Sequence, residues 1–291
     1  MEGGGAATVC IEDQIITAPA IAEPPILRID GTTRLEIASG TEALLEAAGF
    51  RTFEDLVDPK IGTLIAGSRS GSVRRVPSGS TALFVKCFTY PTVKDAILRI
   101  VSRRFRRHRA RREWLSIELQ ERLGLPVVAR VCIGERRQRL LLRTTVLVTE
   151  ELSGARGLDE WLQDPEGERE STDLPAIVAG YVALLHRNGF VHGDLNARNV
   201  LIRRAGVGLD LRNVDSAHGR HVTWNRQLTR CHLRDLAPLA LAFRVIDGAG
   251  AEAELVLAYA SEMGTLVTPR VARMLQQEIA RISKKEERRL R

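Results

Sequence analysis

The chain has 291 residues, 44% hydrophobic and 27% charged, enough for two ordinary domains or one two-lobed domain around a shared cleft. A formal net charge of +7 favours an anionic partner, while an aromatic content of 4% argues against a base-stacking platform, so no nucleic acid is expected. Cys10, Cys87, Cys132 and Cys231 form no CxxC or zinc-type spacing, the N-terminus lacks the basic and apolar regions of a secretory signal, and no apolar run has membrane-spanning length; these features predict a cytoplasmic protein with free thiols.

Residues 1–26 are rich in Gly, Ala and Pro and read as a loosely ordered N-terminal segment. Apolar residues at Ile26, Leu27 and Ile29, then at Leu35 and Ile37, predict short strands. Thr41 caps a helix that ends at Gly49, and FEDLV (53–57) adds a helical turn. Between 60 and 88, Gly62, Gly67 and Gly71 punctuate β-branched residues, PSGS (77–80) makes a turn and TALFVKCF follows, giving a hairpin and a third strand that carries Lys86. An arginine-dense helical pattern runs from Thr92 to Leu123 and stops at Gly124. VVARVCIG and RLLLRTTVLVTEEL then form a strand pair joined by the polar turn GERRQ. After Glu151 the pattern becomes helical, in LDEWLQ, in the apolar-striped LPAIVAGYVALLHRNG and in the core-length run Leu236 to Phe243. The division is therefore a β-rich lobe at 27–151, a helical lobe at 152–283 and a basic tail at 284–291. Seven of the ten residues Arg103 to Arg112 are arginine, either a solvated helix face or an anion-binding patch.

The residues that carry chemistry lie in FVHGDLNARNVLI. A polar centre flanked by apolar residues describes a loop between buried elements, and Asp194 and Asn199 have the D-x-x-x-x-N spacing of a phosphotransferase catalytic loop. Phosphoryl transfer needs a carboxylate to orient the attacking hydroxyl, a cation on the nucleotide phosphates, and oxygen ligands for Mg²⁺. Asp194 fits the first role and Asn199 the third, with His192 bracing the loop. Lys86, in the middle of an apolar strand, needs a buried partner; Glu113 on the following helix is the best candidate and Glu118 the fallback. Gly67 and Gly71 are candidates for cradling phosphates. Glu150, Glu151 and Leu152 would offer adenine backbone donors and acceptors, with Leu147 and Val148 lining its pocket. The second metal ligand is open: strand alternation through Leu209 and Leu211 favours Asn213, whereas a shift of two residues brings in Asp215, whose carboxylate is the better Mg²⁺ ligand. His218 and His221 lack a third ligand nearby and read as a surface polar pair.

These motifs define an α+β, two-lobed, protein-kinase-like fold. HGDLNARNVL, RARREW, GLPVVARVCIGE, VLVTEEL and RDLAPLA (234–240) together resemble the lipopolysaccharide core kinases, which phosphorylate heptose or 3-deoxy-D-manno-octulosonic acid, over residues 60–245. The resemblance implies a kinase using ATP and Mg²⁺ on a glycolipid or sugar acceptor at the inner face of the inner membrane. In it Lys86, Glu113, Asp194 and Asn199 take the roles above and Asp235 braces the catalytic loop. The arginine run Arg103–Arg112 would then meet an anionic membrane surface. That family has an I-D-x-x-R segment where this chain has R-N-V-D-S. Gly193 replaces the arginine of H-R-D, and the stretch from Ala217 to His232 is short, so no phosphorylation-controlled loop is expected. Alternative readings are a kinase for another small-molecule or protein acceptor, and a catalytically weak pseudokinase scaffold.

Overall fold

The structure, a computed structural model, describes residues 26–68, 70–90, 108–138, 141–164, 173–206 and 208–290. Alternation along the strands decides how the first half is layered. Leu83 and Val85 on β5 (Thr81–Thr89) and Val146 and Val148 on β7 (Leu141–Glu150) point to one face. There α1 (Glu42–Ala47) and α2 (Phe53–Val57) cover them with Leu45, Phe53 and Leu56. Ile133 on β6 (Arg130–Gln138) and Leu147 point to the opposite face and meet Ala110 and Trp114 of α3 (Arg109–Arg122). Lys86 is one residue out of step with Val85, so it also projects toward α3. With β1 (Ile26–Asp30), β2 (Thr33–Ile37), β3 (Thr63–Ser68) and β4 (Gly71–Ser78), the sheet has the order β1-β2-β6-β7-β5-β4-β3.

Helix α3 buries Ala110, Glu113, Trp114, Ile117 and Gln120, an i, i+3, i+4, i+7 stripe facing the sheet. His108 caps it, Nδ1 accepting the Arg111 N–H at 3.2 Å. The expected helical stretch before it, 92–107, lies outside the described residues, as do the first 25. The predicted GERRQ turn is instead strand: β6 continues through Gln138, because Glu135 and Arg136 pair with Arg34 and Thr33 of β2.

In the second half, a helical core gathers Val178, Val182 and Leu185 of α5 (Leu174–Arg187), Leu236 and Phe243 of α6 (Arg230–Asp247), Leu255 and Tyr259 of α7 (Ala249–Glu262), and Leu275 and Ile279 of α8 (Pro269–Leu290). The short helix α4 (Leu158–Gln163) adds Trp161 and Leu162 to the same core. Small sheets lie between this core and the large sheet: β8 (Arg156–Gly157), β10 (Val200–Ala205) and β11 (Gly208–Asn213) in the order β11-β10-β8, and β9 (Phe190–Val191) with β12 (Arg220–His221). Residues 284–290, expected as a tail, continue α8. Once Leu275, Glu278 and Ile279 are anchored in the core, extending a helix through Lys, Glu and Arg is cheaper than starting one. Among the described residues no helix is long and apolar enough to cross a membrane.

Candidate active site

Lys86 and α3 meet because both face the same side of the sheet. Lys86 Nζ donates to Glu113 Oε1 at 2.6 Å, and forms a second, shorter ion pair with Asp215 Oδ1. The Lys86 and Glu113 side chains are 12% and 2% exposed, so each charge is largely removed from water and depends on the other. Burial works against the ammonium, but the carboxylates of Glu113 and Asp215 outweigh it and hold the lysine above its ordinary pKa. Asp215 is held below the usual carboxylate range: burial opposes its charge, and Lys86, Arg109 and His192 prevail. Lys86 and Asp215 are therefore both charged at neutral pH. Glu118 faces elsewhere, 3.6 Å from Arg130. Asp215 has φ of 59°, a left-handed conformation uncommon outside glycine and concentrated at functional sites.

Asp194 sits on a loop held from below. The Asp235 carboxylate, fully buried on α6, accepts the backbone N–H of His192 at 2.7 Å and of Gly193 at 2.8 Å. His192 reaches the other way, its Nε2 donating to Val214 O at 2.9 Å, which ties the loop to the segment that bears Asp215. Asn199 Nδ2 donates to Asp194 O at 2.8 Å, and Asn196 Nδ2 to Asp194 Oδ1 at 3.0 Å. Asn196 was not singled out in the sequence; its place two residues after the aspartate, on a loop rather than a helix, was the available signal. Gly193 has φ of 82°, and a Cβ there would lie 3.0 Å from both Cβ and O of His218, so the close passage of the two segments requires glycine.

Several expectations need correction. Asn213 does not face the cleft. It is fully buried, with Nδ2 donating to Gln120 Oε1 at 2.6 Å and Tyr181 Oη at 2.9 Å, so it clamps α3 to α5 instead of offering an oxygen to a metal. Strand β11 ends at Asn213, and the turn into the left-handed conformation lets Asp215 point toward Lys86. The N–H groups of Glu150 and Glu151 are taken by Ala129 O at 2.9 Å and Ala82 O at 2.8 Å, and the Glu151 carboxylate binds Arg75, so neither amide is a free donor for adenine. With Leu152 they border a cavity of about 280 Å³ whose other walls include Val128, Arg203 and Arg212. Leu147 and Val148 are fully buried, one in each of the two cores on either side of the sheet.

Gly67 and Gly71 flank the tip of the β3–β4 hairpin, where Ser68 pairs with Gly71. A Cβ at Gly71 would lie 3.0 Å from Cys87 O, so glycine lets the hairpin lie flat on β5. Of the arginine run, residues 103–107 fall outside the described residues; Arg109 stacks over Phe88 at 5.4 Å and Arg111 binds Glu36 at 2.5 Å. His218 and His221 are both exposed. Among the described residues no cluster of three or more His, Cys, Asp or Glu is preassembled for a metal.

Beneath the loop lies a buried polar layer with a pH consequence. His186 Nδ1 meets Tyr259 Oη at 2.7 Å, and the His232 ring packs 4.9 Å from that of His186. Burial and the neighbouring His186 push His232 down to about 4, against Asp235, from an ordinary value of 6.5. The unfolded chain therefore takes up a proton near pH 6.5 that the folded chain refuses until about pH 4, so stability falls as pH drops through that window. His232 Nδ1 also accepts the Thr229 N–H at 3.1 Å at the start of α6, an acceptor role that glutamine can fill. His232→Gln should thus remove about 2 kcal/mol of the stability loss between pH 7 and pH 5, read from urea denaturation at both values. Equal losses in both proteins would show that His232 is not the titrating group.

A β-rich lobe with a buried lysine–glutamate pair, closed against a helical lobe that bears an Asp-x-x-x-x-Asn loop braced by a helix aspartate, defines a protein-kinase-like fold. The chain belongs to the lipopolysaccharide kinase (Kdo/WaaP) family, whose model matches residues 67–258. It is 28% identical over 124 residues to the lipopolysaccharide core heptose(I) kinase WaaP of Escherichia coli, a match covering 41% of this chain and about half, 47%, of that relative. Among solved structures, WaaP in complex with acyl carrier protein superposes with a TM-score of 0.58 at 21% identity, covering 88% of this chain and 98% of that one, which shows a shared fold.

Proposed function

We propose that the protein is an ATP-dependent kinase that phosphorylates a hydroxyl of a lipopolysaccharide inner-core sugar or related glycolipid. The observation that carries this reading is the juxtaposition of Lys86, Glu113 and Asp215: a lysine held charged beside a carboxylate on a left-handed turn is suited to hold nucleotide phosphates and their metal together. Family membership supports the acceptor class.

In this reading Lys86 contacts the nucleotide phosphates and Glu113 fixes its direction. Asp194 orients the acceptor hydroxyl and takes its proton, with Asn196 holding one carboxylate oxygen in place. The donor set fits Mg²⁺, which is commonly bound by one or two protein oxygens plus phosphates and water. Asp215 supplies a carboxylate, and Asn199, whose Nδ2 is committed to Asp194 O, has its side-chain oxygen left to offer. The metal would neutralise charge on the transferring phosphoryl group. Gly67 and Gly71, at the tip of the β3–β4 hairpin, are the proposed phosphate cover, and Leu152 the hinge contact.

The test is Mg²⁺-dependent transfer from labelled ATP to a panel of acceptors: inner-core oligosaccharide, soluble sugars and a generic protein. Transfer to the oligosaccharide should fall about a hundredfold or more in Asp194→Ala. Equal, background transfer in both proteins would overturn the reading in favour of a nucleotide-binding scaffold.

A further inference from the structure

A second cavity, of about 510 Å³, opens between α3 and the segment that follows Asp215. One helical stripe forms its wall: Arg112, Leu115, Ser116, Leu119 and Arg122 recur at the spacing of a single helix face. Ala217 and His218 stand opposite. His218 connects this wall to the loop, since it packs against Gly193, next to Asp194.

The charges in this cavity are unbalanced. Nearby arginines are partnered: Arg111 has Glu36 at 2.5 Å, Arg130 has Glu121 at 2.7 Å, and Arg109 stacks over Phe88. Among the described residues neither Arg112 nor Arg122 has a carboxylate partner, and Nε of the half-buried Arg112 is enclosed without an acceptor. Ser116, 3% exposed on the same wall, also has a hydroxyl without a partner. A partly buried guanidinium with open donors, on the wall facing His218, is a site in want of an anion. Leu115, Leu119 and Ala217 give the intervening wall an apolar character suited to the carbon face of a sugar.

We propose that this cavity is the acceptor subsite, in which Arg112 binds an anionic group, carboxylate or phosphate, on the acceptor oligosaccharide close to the hydroxyl that reacts. Arg122, about 15 Å farther along the helix, marks its far end and takes charge on a more distant sugar. The proposal rests on the kinase reading above and adds to it where the acceptor lies and what chemistry selects it.

Calorimetric titration of the full chain, loaded with a non-hydrolysable ATP analogue, with deacylated inner-core oligosaccharide of lipopolysaccharide tests it. Three forms of that probe separate the sources of charge: untreated, carboxyl-reduced and phosphatase-treated. Arg112→Gln should weaken binding of the untreated form by about tenfold or more, Arg122→Gln by a few-fold, and Arg112→Lys should restore part of the loss. Arg187→Gln, whose guanidinium is committed to Glu262 and does not line the cavity, should change nothing. One of the two treatments should reproduce the Arg112→Gln loss in the native protein and add nothing in the variant. Equal affinities of native and Arg112→Gln proteins, equal affinities for all three probes, or no binding by the native protein would each overturn the proposal. Binding that follows Arg112 in a protein that transfers no phosphate would keep the subsite and reject the kinase reading. Transfer without any effect of Arg112 would do the reverse.

Discussion

Replacing Asp215 by asparagine is expected to lower phosphoryl transfer about a thousandfold, roughly 4 kcal/mol of transition-state stabilisation, at saturating ATP and acceptor. The substitution keeps the shape of the side chain and removes its charge, so it isolates what a carboxylate does for a hard metal ion that an amide does not. It should leave folding nearly intact, since the side chain is 37% exposed and solvent screens its pairing with Lys86. Lys86 keeps Glu113 at 2.6 Å. Asn213 supplies the contrasting experiment. Asn213→Asp would place a charge at a fully buried position and discard the amide donor shared by Gln120 Oε1 and Tyr181 Oη. It should cost about 3 kcal/mol of stability, measured by urea denaturation, and leave the Mg²⁺ dependence of the remaining activity unchanged. Full turnover in Asp215→Asn, together with altered metal dependence in a stable Asn213→Asp, would reverse the two assignments.

That pair also marks where the sequence stopped being legible. The loop bearing Asp194 and Asn199 and the pairing of Lys86 with Glu113 were readable because they follow from local rules: loop spacing for the first, strand alternation followed by a helix for the second. The choice between Asn213 and Asp215 was not readable from periodicity. Extending the alternation of Leu209 and Leu211 correctly identifies Asn213 as inward-facing, but inward there means the core under α3. The chain then leaves strand geometry through a positive φ at Asp215, and no period-two argument survives such a turn. The two hinge amides were misjudged for a related reason. Glu150 and Glu151 look like a strand end with free backbone groups, yet their amides are consumed by Ala129 and Ala82, residues distant in sequence whose register only the assembled sheet defines. GERRQ was read as a turn on composition, and cross-strand pairing with β2 overrode that preference. The lobes' order and the helical core were legible throughout, because amphipathic stripes such as that of α5 report burial directly.

Asp235→Ala should reduce the free energy of unfolding by about 4 kcal/mol and release the catalytic loop while leaving Lys86 and Glu113 paired. The carboxylate is fully buried and accepts two consecutive backbone amides, from His192 at 2.7 Å and Gly193 at 2.8 Å, with His186 Nε2 a third neighbour at 3.4 Å. Alanine would leave the amide of the fully buried His192 without an acceptor, and would free the exposed Gly193 from its anchor. Asp235→Asn should fall between: one amide keeps an oxygen, while the other faces an N–H group. The loss can be assigned by hydrogen exchange, with protection falling at His192 and Gly193 well before it falls in the β5–β7 ladder. An alanine variant as stable as the native protein, with those two amides still protected, would mean that the loop is held from above, by His192 Nε2 on Val214 O, and that the helix aspartate is a bystander. The stronger expectation follows from the number of contacts: two backbone N–H groups converge on one buried carboxylate, whereas the upper contact is a single hydrogen bond. The loop that carries Asp194 is therefore anchored in the helical lobe, and its tie to Val214 links it to the segment that bears Asp215.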